Sequence, residues 1–146
     1  MSPQDIGEQL QTLKQQYEKL TPGQKADLRR VPRQELDMVP AFYRLQVPPS
    51  DQWKRVVHFL TQLKSSAEND DSLGTALAKA KIHERRLFQM ARSESPADLD
   101  ALRRLLQQEP PVSWQALGKA IFFWGDRQKR SILKDFFLAQ TQENSK

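Results

Sequence analysis

The chain has 146 residues, enough for one domain or two small helical lobes and too few for two independent enzyme-sized domains. Lys and Arg number 23 against 18 Asp and Glu, a net charge of +5 with a pI near 9.6, which suits a polyanionic partner without proving one. Cysteine is absent, which excludes disulfides, thiolate metal sites and cysteine nucleophiles. No window approaches the roughly 18 uninterrupted apolar residues of a membrane span, and the start MSPQDIGEQL lacks the basic and apolar parts of a secretory signal. The expectation is a soluble, cytoplasmic protein with no membrane partner.

Along the chain, Ile6, Leu10, Leu13, Tyr17 and Leu20 recur at spacings of four and three, the stripe of a first helix. Thr21-Pro22-Gly23 closes it, and the Thr and Pro also suit the cap and first turn of a short second helix ending at Arg29 and Arg30. From Pro32 to Pro49 the prolines leave room only for brief helical pieces, around Glu35–Met38 and Ala41–Leu45. Ser50 or Asp51 then caps a helix burying Trp53, Val56, Val57, Leu60 and Leu63 and running to about Ala67.

The polar SSAENDDS marks a boundary between an N-terminal lobe over 1–68 and a C-terminal one over 69–146. Ser72 caps the next helix, a break falls near Lys81, and Ile82–Arg92 continues with Leu87, Met90 and Ala91 inward. Ser95-Pro96-Ala97-Asp98 reads as a helix start, with Ser95 as cap and Leu99, Leu102, Leu105 and Leu106 behind it. Ser113 caps a helix through Trp114, Leu117, Ile121 and Trp124 until Gly125, and a last helix carries Ile132, Leu133, Phe136 and Phe137 before a frayed TQENSK tail. No stretch alternates with period two, so the fold class is all-α.

Chemistry is sparse. His58 and His83 are the only imidazoles, and His83 and Glu84, adjacent on a helix, point about 100° apart. Asp98 and Asp100 sit in a first turn, where the helix dipole favours acids without any metal. The scattered glycines form neither a P-loop nor a dinucleotide fingerprint. The expectation is no enzyme, no cofactor and no metal.

The basic residues form a pattern. Lys81, Arg85 and Arg92 fall within about 40° of one face if the helix is continuous. Arg86 flanks them, Arg103 and Arg104 occupy the outer side of the next helix, and Arg127, Arg130 and Lys134 repeat the spacing on the last. Such an array offers repeated donors to phosphates along a strand. Solvated outer faces, partly neutralised by Glu84, Asp126 and Asp135, are the simpler account from pattern alone. The aromatic residues fall mostly on inward stripes, leaving a partly exposed Trp or Tyr43 as the candidates for stacking on bases.

RRVPRQELDMVPAFYRL at 29–45, LGTALAKAKIHERRLFQMAR at 73–92, LRRLL at 102–106 and FFWGDRQKRSILKDFFL at 122–138 resemble, in order, signature segments of the CasB family. That family is the small subunit of the type I-E CRISPR surveillance complex, Cascade. The resemblance implies two small packed helical bundles in one compact chain. It implies as partners the other Cascade subunits with their CRISPR RNA, a second copy of the chain, and target DNA, chiefly its displaced strand. The implied function is stabilisation of the R-loop, and the implied nucleic-acid contacts are Arg30, Arg85, Arg86, Arg92, Arg103 and Arg104, with Arg127, Lys129 and Arg130 beside them. The pattern adds Lys81 to this set. The glycine that separates the two middle helices in the family is absent here, the linker SSAENDDS is shorter and more acidic than the family's basic loop, and Ser93-Glu94-Ser95 lacks a basic residue that some relatives carry. A structural adaptor bracing neighbouring subunits, or a free-standing DNA-binding regulator, are the alternative readings.

Overall fold

The computed structural model describes residues 3–144, and every regular element in that span is helical. The chain divides into two units. One runs to Leu63 and takes in Ile121–Phe123; the other begins at Lys64 and comprises the rest.

In the first unit, α1 (Pro3–Glu18) buries Ile6, Leu10 and Leu13 completely, the stripe set by their spacing. A capping box opens α2 (Pro22–Arg30): Thr21 Oγ1 accepts from the Gln24 N–H at 3.1 Å, and Gln24 Oε1 accepts from the Thr21 N–H at 2.9 Å. The proline-punctuated stretch holds a 3-10 helix (Arg33–Met38) and the single turn α3 (Pro40–Tyr43). Ser50 caps α4 (Asp51–Gln62), accepting from the Trp53 N–H at 3.2 Å. Arg55 on α4 donates to the carbonyls of Ile121 and Phe122 at 3.3 and 3.0 Å, and the Trp53 and Phe122 rings meet edge-on at 5.1 Å.

Helix α4 stops five residues short of the expected Ala67. The reason lies in the partners of the polar run that follows. Ser66 Oγ accepts from the Trp114 N–H at 2.8 Å, the Ala67 N–H donates to Val112 O at 3.1 Å, and Asn69 Nδ2 donates to Pro111 O at 3.0 Å. These bonds, all within the second unit, satisfy groups that a longer helix would have turned elsewhere.

The second unit contains α5 (Leu73–Lys79), α6 (Glu84–Arg92), α7 (Ala97–Leu106), most of α8 (Trp114–Phe122) and α9 (Asp126–Asn144). The tail expected to fray from Thr141 is instead helical through Asn144, and residues 145–146 lie outside the described span. Helix α5 packs along α9 so closely that a Cβ on Gly74 would stand 2.3 Å from Ile132 O, so only glycine fits there. The break near Lys81 is real despite the missing glycine. The Ile82 N–H donates to Leu77 O and the Lys81 N–H to Ala78 O, a Schellman motif with Lys81 itself in the left-handed region at φ 60°. Helix α6 packs on both α7 and α9.

The start of α7 departs from expectation. Pro96, not Ser95, is the N-cap residue, and no side chain caps the helix. Asp98 turns inward instead. The residue is 2% exposed, and its carboxylate accepts from Lys129 Nζ at 2.7 Å, Trp124 Nε1 at 2.9 Å and the Leu99 N–H at 2.7 Å. Lys129 also donates to Ser93 O at 2.9 Å. Burial by itself would raise the Asp98 pKa, but the bonds from Lys129, Trp124 and the Leu99 N–H, with the Lys129 charge, outweigh it and hold the carboxyl below its ordinary value of 3.8.

Four stability measurements check these features. Gly74→Ala should lose about 1–3 kcal/mol in denaturant unfolding, because Ile132 O is backbone and cannot step aside. Lys81→Gly should gain about 0.5–1 kcal/mol by relieving the left-handed conformation. Asp98→Ala should cost about 3–5 kcal/mol by leaving the Lys129 ammonium buried and unpaired. Since native Asp98 binds its proton less tightly than the unfolded chain does, its contribution is complete above pH 3.8 and lost as pH falls through the lower native value. The Asp98→Asn protein should therefore show a flatter acid dependence of its unfolding midpoint than wild type.

Candidate nucleic-acid interface

Helical geometry decides which basic residues face out together. On α6, Arg85 and Arg92 are seven residues apart and so about 20° apart, opposite the buried Leu87 and Met90. Arg86 lies about 100° round from Arg85; all three arginines are exposed. Arg104 on α7 is exposed, whereas Arg103 is half-buried with its Nε enclosed. On α9, Arg127, Arg130, Lys134, Leu138 and Thr141 are all exposed. They keep within about 80° of one another along the helix. Because α6 contacts both α7 and α9, the three helices that carry these residues are neighbours within one unit.

Charge pairing leaves the outer residues available. Among the described residues no carboxylate lies within ion-pair distance of Arg85, Arg86, Arg92, Arg104, Arg127 or Arg130. Arg30 belongs to the other unit and pairs with Asp27 at 3.3 Å on an exposed surface, a contact too solvated to hold it firmly. Lys81 is exposed, but it occupies the turn between α5 and α6, so the continuous-helix geometry that grouped it with Arg85 and Arg92 does not exist.

Lys129 is the clear departure. It is 7% exposed and its ammonium is engaged by Asp98 and Ser93 O inside the fold, so it offers nothing to an outside polyanion. A signal was present: Lys129 stands three residues before Ile132 and seven before Phe136, on the face those residues bury.

The side chains that pattern reasoning passed over are Phe88 and Leu138. Phe88 shares the outer arc of α6 with Arg92, whose guanidinium carbon lies over its ring at 5.5 Å from the centroid. Helical arithmetic from Arg92 would have found it. Leu138 extends the α9 stripe as an apolar position, 56% exposed. Tyr43 is also 56% exposed, with its hydroxyl donating to Asp37 O at 2.7 Å. Trp53 and Trp114 are buried and Trp124 is tied to Asp98, which removes them from stacking.

His83 caps α6, its Nδ1 accepting from the Arg85 N–H at 3.1 Å, and His58 is half-buried edge-on to Phe59 at 5.9 Å. Among the described residues no three His, Asp or Glu side chains gather as metal ligands would, and no helix is long and apolar enough to cross a membrane. What the arrangement offers is an array of outward guanidinium groups suited to phosphate oxygens, without geometry that selects a base.

No family model matches the chain. It is 36% identical over 148 aligned positions to the CRISPR system Cascade subunit CasB of Escherichia coli (strain K12), covering 88% of this chain and 92% of that protein. It also matches a chain in the crystal structure of E. coli Cascade bound to a PAM-containing dsDNA target, with a TM-score of 0.79, 34% identity, and coverage of 90% of this chain and 96% of that one. Similarity of this extent, in sequence and in backbone, means that this all-helical chain belongs to the CasB family of Cascade subunits.

Proposed function

We propose that the chain is a non-catalytic small subunit of a cytoplasmic type I-E Cascade, and that it stabilises the R-loop by sequence-independent contacts with the displaced non-target strand. The observation that carries this reading is the set of exposed, carboxylate-free arginines on three neighbouring helices of one unit. In RNA-guided recognition, base pairing with the guide reads sequence, and strand exchange is nearly balanced. A few backbone contacts from a basic protein therefore suffice to tip it. Each contact is weak, but a subunit held within the assembly meets the strand at high effective concentration. The proposed contact residues are Arg85, Arg86, Arg92, Arg104, Arg127 and Arg130, with Arg30, Lys81 and Arg103 at the margins. The other Cascade subunits with CRISPR RNA, and a second copy of this chain, are its proposed neighbours.

A second reading, an adaptor that braces neighbouring subunits or guide RNA without touching DNA, is favoured by exposed apolar side chains: Met38 at 81% exposure and Leu138 in line with the α9 arginines.

The two readings separate experimentally. In a reconstituted complex, the Arg85→Ala, Arg86→Ala and Arg104→Ala triple variant should lose nuclease protection of the displaced strand while its circular dichroism stays that of wild type. The log–log salt slope of strand binding should fall by about 2, as three lost phosphate contacts on a single strand require. Wild-type protection by the triple variant would favour the adaptor.

A further inference from the structure

We propose that the outer face of α6 is a seat for one unpaired nucleotide, its base stacked on Arg92 and its phosphate held by Arg85. This inference rests on the displaced-strand reading and adds to it a base-stacking position.

A groove of about 680 Å³ lies along α6, lined by His83, Glu84, Arg85, Phe88, Gln89, Arg92 and Ser93. That volume lies within the range of small-ligand sites. Phe88, Arg92, Arg85 and Gln89 occupy an arc of about 100° on the helix. They form a single surface opposite the buried Leu87 and Met90.

The stacking column is already built. The Phe88 ring packs at 5.7 Å from the Phe137 ring of α9, tilted by 38°, which restrains it. The Arg92 guanidinium lies over Phe88 and is held in place by the ring. Arg92 is exposed to solvent. A planar, delocalised cation that lies over an aromatic ring and is exposed to solvent offers a surface on which a nucleobase stacks, and any base has the required π-face.

The groove also supplies polar groups for the rest of a nucleotide. Because His83 Nδ1 accepts the Arg85 N–H, the neutral ring carries its proton on Nε2, which is left as a donor. Gln89 is exposed and brings both an amide donor and a carbonyl acceptor. Ser93 Oγ donates to Gln89 O at 2.7 Å and keeps accepting capacity. Arg85 stands about two helical turns from Arg92, a free cation for the phosphate. Glu84 also lines the groove, so a phosphate is favoured on the Arg85 side. A base within a duplex has both faces stacked and its pairing edge occupied, whereas an unpaired base has what this seat requires.

The test uses the full chain at low salt with fluorescent single-stranded oligonucleotides. Arg92→Lys keeps the charge and removes the planar face; Phe88→Leu keeps apolar contact with Phe137 and removes the ring. Each should weaken single-strand binding about tenfold, with the salt slope and duplex binding unchanged and the thermal unfolding midpoint of Arg92→Lys held at the wild-type value. Wild-type protein should bind a strand of abasic sites as weakly as Arg92→Lys binds the normal strand. Wild-type affinity in Arg92→Lys, or equal affinity of the wild-type chain for normal and abasic strands, overturns the nucleotide seat. If the Arg85, Arg86 and Arg104 triple variant has meanwhile lost binding, the displaced-strand reading survives that failure. If the wild-type chain binds no single strand at low salt, the nucleotide seat falls, and the displaced-strand reading is decided by protection in the reconstituted complex.

Discussion

The second unit is organised around one buried ion pair. Taking Asp98 and Lys129 out of water carries a desolvation cost of several kcal/mol per ion, which close geometry and full hydrogen bonding must offset. Both conditions hold: Asp98 accepts from Lys129, Trp124 and the Leu99 N–H, and Lys129 donates onward to Ser93 O. Asp98 lies in the first turn of α7, Lys129 in α9, and Ser93 just beyond the last residue of α6. The three helices that carry the exposed arginines are thus referenced to one another through a single buried contact. An alternative packing that rotated any of them would strand a charge in the interior.

That internal commitment of one cation explains why the others can stay outside. Leu87, Met90, Leu102, Leu105, Ile132 and Phe136 hold the inward faces of α6, α7 and α9, so the guanidinium groups keep to the opposite sides by helical geometry alone. Arg92 is the exception that shows how a charged side chain is restrained there, by lying across Phe88 rather than by finding a carboxylate. Such a restraint leaves its charge uncompensated, which pairing with an acid would not.

What could be read from the sequence followed from how local each interaction is. Thr21, Ser50, Ser72 and Ser113 cap their helices as their positions suggest, because a cap bonds to a backbone N–H three residues away. The all-helical fold and the buried stripe of α1 followed equally from short-range spacing. The failures share the opposite property. Helix α4 ends early because Ser66, Ala67 and Asn69 find partners at 111–114; Ser95 is displaced as a cap while Asp98 answers to Lys129 and Trp124; Lys129 itself is drawn inside. Each of these is decided by a residue far along the chain, which no window of neighbouring letters contains. The outward arginines were legible as a spacing, but their freedom from carboxylates was not, since that depends on which acids the fold brings near.

The stripe on α9 sets a length scale. From Arg127 to Lys134 the helix rises by about 10 Å, with cations unevenly placed at steps of three and four residues. The two axial steps, about 4.5 and 6 Å, are unequal, so a uniformly spaced row of phosphates does not match all three positions at once. In the proposed role, a strand would meet no preferred phase on this helix. Along α9 it advances nucleotide by nucleotide with little change in energy, a low-friction rail beside the seat proposed on α6.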